Sequence, residues 1–231
     1  MPDRIGAAAA LALGAAILAV GWFASAQPRC AQTGFSPQLL TPLGGRHPSS
    51  AAFVVGMAPG GTFRGPPPIL MHRGRRDVRT VAVPIAPGLY RVSPDGARVA
   101  GRYTLTGVAG DPELEFGRVT GSAPPPAPRL ERVERYRLAG SGAERTEVRA
   151  HVQFPIPDGV IAVVAYWGAD SEPDLFARAT PTQTEVLLYS EHQGCPPLPE
   201  GASAPPTQGD VRIAFVDAYG QISQPSDASS L

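Results

Sequence analysis

Between Thr146 and Phe154 the chain alternates with a period of two. Val148, Ala150, Val152 and Phe154 fall on one side, and Glu147, Arg149, His151 and Gln153 on the other. That period describes a strand with one face covered and one face wet, as in an antiparallel sheet. Shortly after it, Val160 to Trp167 reads VIAVVAYW, apolar on both sides. A run of strand length with no polar side predicts a central strand covered on both faces. Further strands are predicted over Ala51–Met57, Val78–Val83, Gly88–Ser93, Arg102–Thr106, Leu114–Val119, Thr184–Tyr189 and Val211–Val216. Turn formers separate them: Pro94-Asp95-Gly96, Gly110-Asp111-Pro112, Pro157-Asp158-Gly159 and Tyr219-Gly220. Short strands punctuated this often by Gly and Pro indicate β-sandwiches, so the expected class is all-β. Leu130–Leu138 (LERVERYRL) has helix-forming residues, with Leu130, Val133 and Arg137 or Leu138 at helical spacing. It follows a proline run that disfavours a helix and is joined by Ala139–Ala143 to the strand at Thr146, so it is assigned as an extended strand.

The 231 residues carry 26 Gly and 27 Pro. Gly121–Pro128 (GSAPPPAP) is the expected domain boundary, because consecutive prolines hold an extended conformation and cannot join a central ladder. The expected organisation is two β-sandwich domains, 34–120 and 129–231, on either side of a linker at 121–128.

The charged residues are 20 Arg, no Lys, and 20 Asp plus Glu, for a formal net charge of zero. Zero net charge argues against a broad basic face built for nucleic-acid phosphates. A 17% charged fraction beside 43% apolar residues argues against a disordered polyelectrolyte. The first 26 residues read as a secretory signal: Arg4 near the start, an uncharged Ala- and Leu-rich stretch from Ile5 to Phe23, then Ala24-Ser25-Ala26 before Gln27. The chain is therefore expected in the periplasm, at the cell surface or secreted. The alternative is an uncleaved anchor in the inner membrane, and membrane contact is expected only through this N-terminal segment, if it is uncleaved. Lipid attachment at Cys30 is disfavoured, because Gln27-Pro28-Arg29 precedes it rather than a small apolar run.

Export places Cys30 and Cys195 where disulfides persist, and two cysteines allow one pairing. Closing so long a loop would stabilise the fold by about 5 kcal/mol in the chain-entropy model. A metal site is the competing reading, since His192 stands three residues before Cys195. One His-x-x-Cys pair supplies two ligands where zinc takes three or four, and His47, His72 and His151 are scattered.

The C-terminal half resembles fibronectin type III or immunoglobulin-like modules of exported bacterial envelope proteins. The resemblance rests on the proline-led start Pro124–Pro128, the strands Thr146–Phe154 and Val160–Trp167, and above all the tail Val211–Ser223. There an apolar strand is followed by Asp217, the Tyr219-Gly220 turn and then Ser223, the pattern that leads into a final strand. The family's tyrosine at the start of the penultimate strand is missing, with Arg212 about there. In the first half, Pro37–Gly45 followed by Ala51–Met57 resembles the opening of bacterial Ig-like envelope repeats. The resemblance implies architecture, and such folds host many functions.

The densest charge is His72-Arg73-Gly74-Arg75-Arg76-Asp77-Val78-Arg79. Arg73, Arg75, Arg76 and Arg79 are the candidate anion-binding residues, for anionic envelope lipid or polysaccharide, because guanidinium forks match phosphate and carboxylate. The plainer reading is a solvated hairpin. Glu113/Glu115 and Asp170/Glu172/Asp174 are candidate calcium ligands, the second the better because it should be a loop, but it lacks a regular ligand ladder and a solvated loop is favoured. There is no Gly-x-Ser-x-Gly elbow and no His-Glu-x-x-His, and the absence of Lys removes P-loop and Schiff-base chemistry. A periplasmic copper carrier would need a histidine at the new N-terminus, where Gln27 stands. The expected function is non-enzymatic, with no cofactor: adhesion, scaffolding or binding of an envelope protein or polysaccharide. The alternative is a small-ligand or metal carrier. An envelope hydrolase ranks third.

Overall fold

A computed structural model describes residues 37–48, 52–57, 65–96, 100–117, 123–139, 144–191 and 201–231. The segment 1–26, Cys30, His192 and Cys195 lie outside the described residues, as do residues 121–122 of the expected linker. Among the described residues every regular element is a strand. In chain order these are β1 (Gln38–Leu39), β2 (Arg46–Pro48), β3 (Phe53–Gly56), β4 (Leu70–Arg73), β5 (Arg76–Ala86), β6 (Leu89–Pro94), β7 (Gly101–Thr106), β8 (Glu113–Gly117), β9 (Leu130–Ala139), β10 (Glu144–Val152), β11 (Val160–Trp167), β12 (Leu175–Arg178), β13 (Glu185–Ser190), β14 (Asp210–Asp217) and β15 (Ser229–Ser230). The fold is all-β, as expected.

The strands form three sheets, in the orders β1-β3-β6-β5-β4-β7-β8-β2, β13-β10-β9 and β12-β11-β14-β15. In the first, the 11-residue β5 serves two wings. Its Arg76–Arg79 portion pairs with β4 and its Thr80–Ala86 portion with β6. Both wings supply the same apolar cluster: Phe53, Val55 and Val92 from one, Met71, Leu105 and Leu114 from the other. The sheet therefore doubles over its own core. A second cluster lies between the other two sheets, with Val148, Ala150 and Val186 facing Val163, Ile213 and Phe215.

A third cluster joins these two units. Ala162, Val164 and Tyr166 of β11 and Ala214 and Val216 of β14 pack against Val54, Ile85, Ala86 and Leu89. The opposite side of β11 gives Val160, Val163, Ala165 and Trp167 to the C-terminal cluster. This explains VIAVVAYW: both faces are covered, one by the C-terminal strands and the other by the N-terminal ones. The result is a stack of β layers with apolar material at every interface. LERVERYRL is extended, as the preceding prolines required, and pairs along its length with β10.

Two expectations need correction in detail. Phe154 does not continue the buried row of β10: the ladder shifts register at His151/Val152 and Phe154 is 56% exposed. The strands β1, β2, β4 and β12 are not predicted from the sequence, and the final strand expected after Ser223 is the short β15. Each has four residues or fewer, too short for a period of two to show.

The tail after β14 turns back as its sequence suggested. Asp217 Oδ1 accepts the amides of Tyr219 (2.9 Å) and Gln221 (2.8 Å), and Gly220 has φ +73°. Ser223 and Ser226 then accept the Phe215 and Ile213 amides through their hydroxyls, at 2.9 and 3.1 Å. Gly107 is fixed by sterics, since it has φ +84° and a Cβ there would lie 2.4 Å from the Pro68 carbonyl oxygen.

One polar side chain stitches the apolar seam. The buried Thr41 hydroxyl donates to the Ala218 carbonyl at 2.7 Å and accepts the Val54 amide at 2.8 Å. Thr41→Val keeps the shape and leaves both backbone groups without this partner, a loss of about 1–3 kcal/mol. Urea unfolding at neutral pH should show the midpoint fall at unchanged slope.

Candidate functional site

The four arginines named from the sequence lie on the β4–β5 hairpin. Arg73 closes β4, Gly74 (φ +59°) and Arg75 form the turn, and Arg76 and Arg79 lie on β5. All four are exposed. They do not converge on one point. Arg73 opposes Arg76 at the hairpin end, on the side that further along carries Met71 and Val78. Its guanidinium sits 5.9 Å from the Tyr103 ring centroid. Arg79 points to the opposite side, across from Leu70. The neighbouring His72 is fully engaged: Nδ1 lies 2.7 Å from Asp77 Oδ1 and Nε2 lies 2.8 Å from Thr106 Oγ1. Asp77 is thus paired with histidine, and Asp95 follows β6 opposite Arg79, its amide donating to the Arg79 carbonyl at 2.8 Å.

A denser polar cluster occupies the face of the β13-β10-β9 sheet that turns away from its apolar cluster. Register brings it together: Glu147 opposes Tyr136, Arg149 opposes Glu134 and His151 opposes Arg132 on β9, while Glu185 opposes His151 on β13. Arg149 is its hub. Its Nη2 donates to Glu147 Oε2 at 2.6 Å, its Nη1 to Glu185 Oε1 at 2.7 Å, and its guanidinium carbon lies 5.2 Å from the Tyr136 ring centroid. The buried Glu147 is also in ionic contact with Arg145. Tyr136 donates its hydroxyl to Glu134, which accepts Arg132 Nε at 3.0 Å and lies 3.0 Å from His151 Nε2. The Tyr136 hydrogen bond, helped by Arg132 and His151, lowers the Glu134 pKa below its ordinary 4.5, while the same carboxylate raises that of Tyr136.

A histidine between carboxylates has the components of acid–base chemistry. Here, however, each carboxylate of Glu134, Glu147 and Glu185 already faces arginine or histidine, so the charges close on one another. The arrangement stiffens three strands. Its signal was present in the alternating Glu147, Arg149 and His151 and in LERVERYRL, but the register that joins them is not written in either segment.

Of the acidic candidates, the Glu115 and Asp174 side chains serve local structure. Glu115 pairs with Arg46 at 2.8 Å and Arg102 at 3.7 Å across β2, β8 and β7. Asp174 accepts the Trp167 amide at 2.7 Å, and the Asp170 carbonyl accepts Arg212. Among the described residues no three His, Cys, Asp or Glu side chains come together as a metal site.

His47 is the buried titratable group at the seam. On β2 it opposes Phe116 of β8 in a parallel pair. Its ring lies 6.0 Å from Phe116 and 6.0 Å from Tyr219, so it bridges the N-terminal core and the C-terminal tail. Neither ring nitrogen has a well-formed hydrogen bond. Burial lowers its pKa below the ordinary 6.5, against a smaller opposing pull from the Pro42 carbonyl. Beside the seam, a groove of about 260 Å3 is lined by Leu39, Leu40, Pro42, Ile161, Arg178 and Ala179. Its cation is engaged, since Arg178 donates to Gln38.

No known family's sequence pattern matches this chain, and no curated protein matches it in sequence.

As pH falls through 6.5, the unfolded chain takes up a proton that the folded His47 resists, so the unfolded state binds more protons and stability drops. The loss levels off below the lowered folded pKa. His47→Phe should flatten the urea midpoint between pH 7.5 and 5.5. Glu134 acts in a separate, more acid window, because its contribution is present above 4.5 and disappears as pH falls through its lowered folded pKa. Glu147→Ala removes the carboxylate shared by Arg145 and Arg149, whose side chains are 43% and 34% exposed. Solvent around the arginines moderates the loss to about 2 kcal/mol, below the ~3–5 kcal/mol of fully buried pairs. Glu147→Gln should lose less in the same denaturation assay.

Proposed function

We propose that the chain is an exported, non-enzymatic protein of the cell envelope, acting in adhesion, scaffolding or the binding of a macromolecular partner. The signal-like residues 1–26 support export, to the periplasm, the cell surface or the medium. In this reading the two sheet units are Ig- and fibronectin III-like sandwiches over 34–120 and 129–231, with 121–128 between them and a Cys30–Cys195 staple.

The observation that carries the proposal is the apolar seam of Val54, Leu89, Ala162, Val164, Ala214 and Val216. It makes the layers one stiff body that presents loops and sheet faces at fixed spacing, which suits a scaffold. The carrier alternative would use the groove at Leu39, Ile161 and Arg178. At about 260 Å3 it is open and falls below the roughly 300–1,000 Å3 usual for small-ligand sites.

Calorimetry separates the two. A small ligand or metal at a hundred times its Kd adds about 2.7 kcal/mol. That is a rise in Tm of roughly 5–10 °C for a chain of this size. A panel of divalent metals and small metabolites should leave Tm unmoved, whereas a rise of this size with one of them would install the carrier reading. A periplasmic reporter fused after residue 231 should be active, and a reporter retained in the cytosol would overturn export.

A further inference from the structure

Met71 of β4, Val78 of β5 and Leu105 of β7 turn into the apolar core, so their neighbours His72, Asp77 and Thr106 stand on the outer face of the same three strands. Register sets His72 across from Asp77 on one side and from Thr104 on the other, with Thr106 two residues along, across from Leu70. The imidazole spans that gap. Its Nδ1 lies 2.7 Å from Asp77 Oδ1, and its Nε2 lies 2.8 Å from Thr106 Oγ1. A carboxylate can only accept, so Nδ1 carries the proton and Nε2 of the neutral ring offers a lone pair. Thr106 then donates its hydroxyl proton to Nε2. A hydroxyl donating to an imidazole that a carboxylate orients is the arrangement of an activated nucleophile. The fold does not require it. Backbone ladders already join the three strands, and the His72 and Asp77 side chains, 27% and 68% exposed, have water within reach as a partner.

We propose that Thr106 is a site of covalent acylation, with His72 as the general base and Asp77 as the residue that positions the imidazole. Thr106 Oγ1 attacks the carbonyl carbon of the donor while its proton passes to His72 Nε2. The new Oγ1–C bond forms, the bond to the leaving group breaks with its electron pair, and His72 returns the proton to the leaving group. Thr106 is half-buried, and Leu70 beside it is 41% exposed, which gives the acyl group an apolar contact. The sheet face is open, so the donor's carbonyl oxygen meets water rather than preorganised donors. That restricts the donor to esters or thioesters with a good leaving group, and it leaves the acyl-threonine to persist as an ordinary ester. The result is a modified protein rather than a catalyst, so the proposal goes beyond the scaffold reading and does not depend on it. The charged groups on this face are Asp77 and Arg79 of β5, Arg102 of β7, and Glu113 and Glu115 of β8, and of these Asp77 touches the ring.

The test is incubation of the full-length chain with p-nitrophenyl acetate, read by p-nitrophenol release, intact mass and fragmentation of the tryptic peptide 103–118. The chain has no Lys, and its two Cys lie outside that peptide, so the usual acetyl acceptors do not obscure Thr106. One acetyl group should appear on Thr106, at a rate that rises with pH as His72 loses its proton. H72Q should slow the labelling about a hundredfold, the low end for a general base. D77N should slow it too and move its pH profile to lower pH, because removing an anion beside an imidazole favours the neutral ring. A brace without chemistry would leave that profile unmoved. T106V should abolish the label, T106S should retain it, and T104V should leave the rate unchanged. Circular dichroism and Tm matching the parent establish that the variants fold. Equal labelling rates in the parent and H72Q, or an acetyl pattern that T106V does not alter, would overturn the proposal and leave the three side chains as a cross-strand brace. Release beyond one equivalent that T106V abolishes would keep Thr106 as the nucleophile and overturn the non-enzymatic reading, so either idea can fail alone.

Discussion

Everything in this fold depends on β11 and β14 being covered on both faces. A strand pair whose ladder is satisfied laterally, by β12 and β15, still has two flat sides to remove from water. Val163, Ala165 and Ile213 take one side; Ala162, Val164 and Ala214 take the other. Neither neighbouring sheet can be withdrawn without exposing a continuous apolar surface. That couples strands early in the chain to strands near its end. The small residues on the seam side, Ala162 and Ala214, allow close approach, and Tyr166 fills the remaining space near Arg212, whose guanidinium carbon lies 5.4 Å from its ring centroid.

How much of this was legible in the sequence depends on the range over which each signal acts. Period two and turn residues are local, so β10, β11 and the turn at Gly220 could be read directly, as could the strand character of LERVERYRL from its preceding prolines. The double-sided burial of VIAVVAYW was also readable. What covers its second face was not, because Val54, Ile85 and Leu89 are spread along the chain and look like ordinary core residues of their own strands. Phe154 shows the opposite failure. Its position fits the alternation, but a register shift two residues earlier ends the row, and nothing in the local sequence marks that shift. The candidate arginines were placed on a hairpin correctly, yet their division between two faces follows from pairing register and could not be seen. The network around Arg149 was hidden for the same reason.

Polar groups at the seam follow a consistent logic. Thr41 is tolerated there because both of its hydrogen-bonding capacities are used, one on each side of the junction. His47 is tolerated because it can remain neutral, with aromatic rings rather than carboxylates as neighbours. Glu147 takes a third course on the outer sheet face, charged but between arginines. Each solution holds a polar atom out of water without a bare charge, and each ties a different pair of elements.

The edges and faces of the sheets are treated differently, and the contrast bears on function. Most edge strands are too short to invite pairing: β1, β2, β12 and β15 have four residues or fewer. The long edge, β9, is studded with charge at Glu131, Arg132, Glu134, Arg135 and Arg137. The β13 edge carries Glu185 beside its exposed Leu187. Exposed backbone is thus guarded against other strands. The exposed aliphatics of β5 have no such guard and need none, since their strand is paired on both sides and offers side chains alone. On the same face Val54, across from Arg91, passes into the seam with β11 and β14, so the exposed valines form the margin of a surface that the C-terminal strands cover in part.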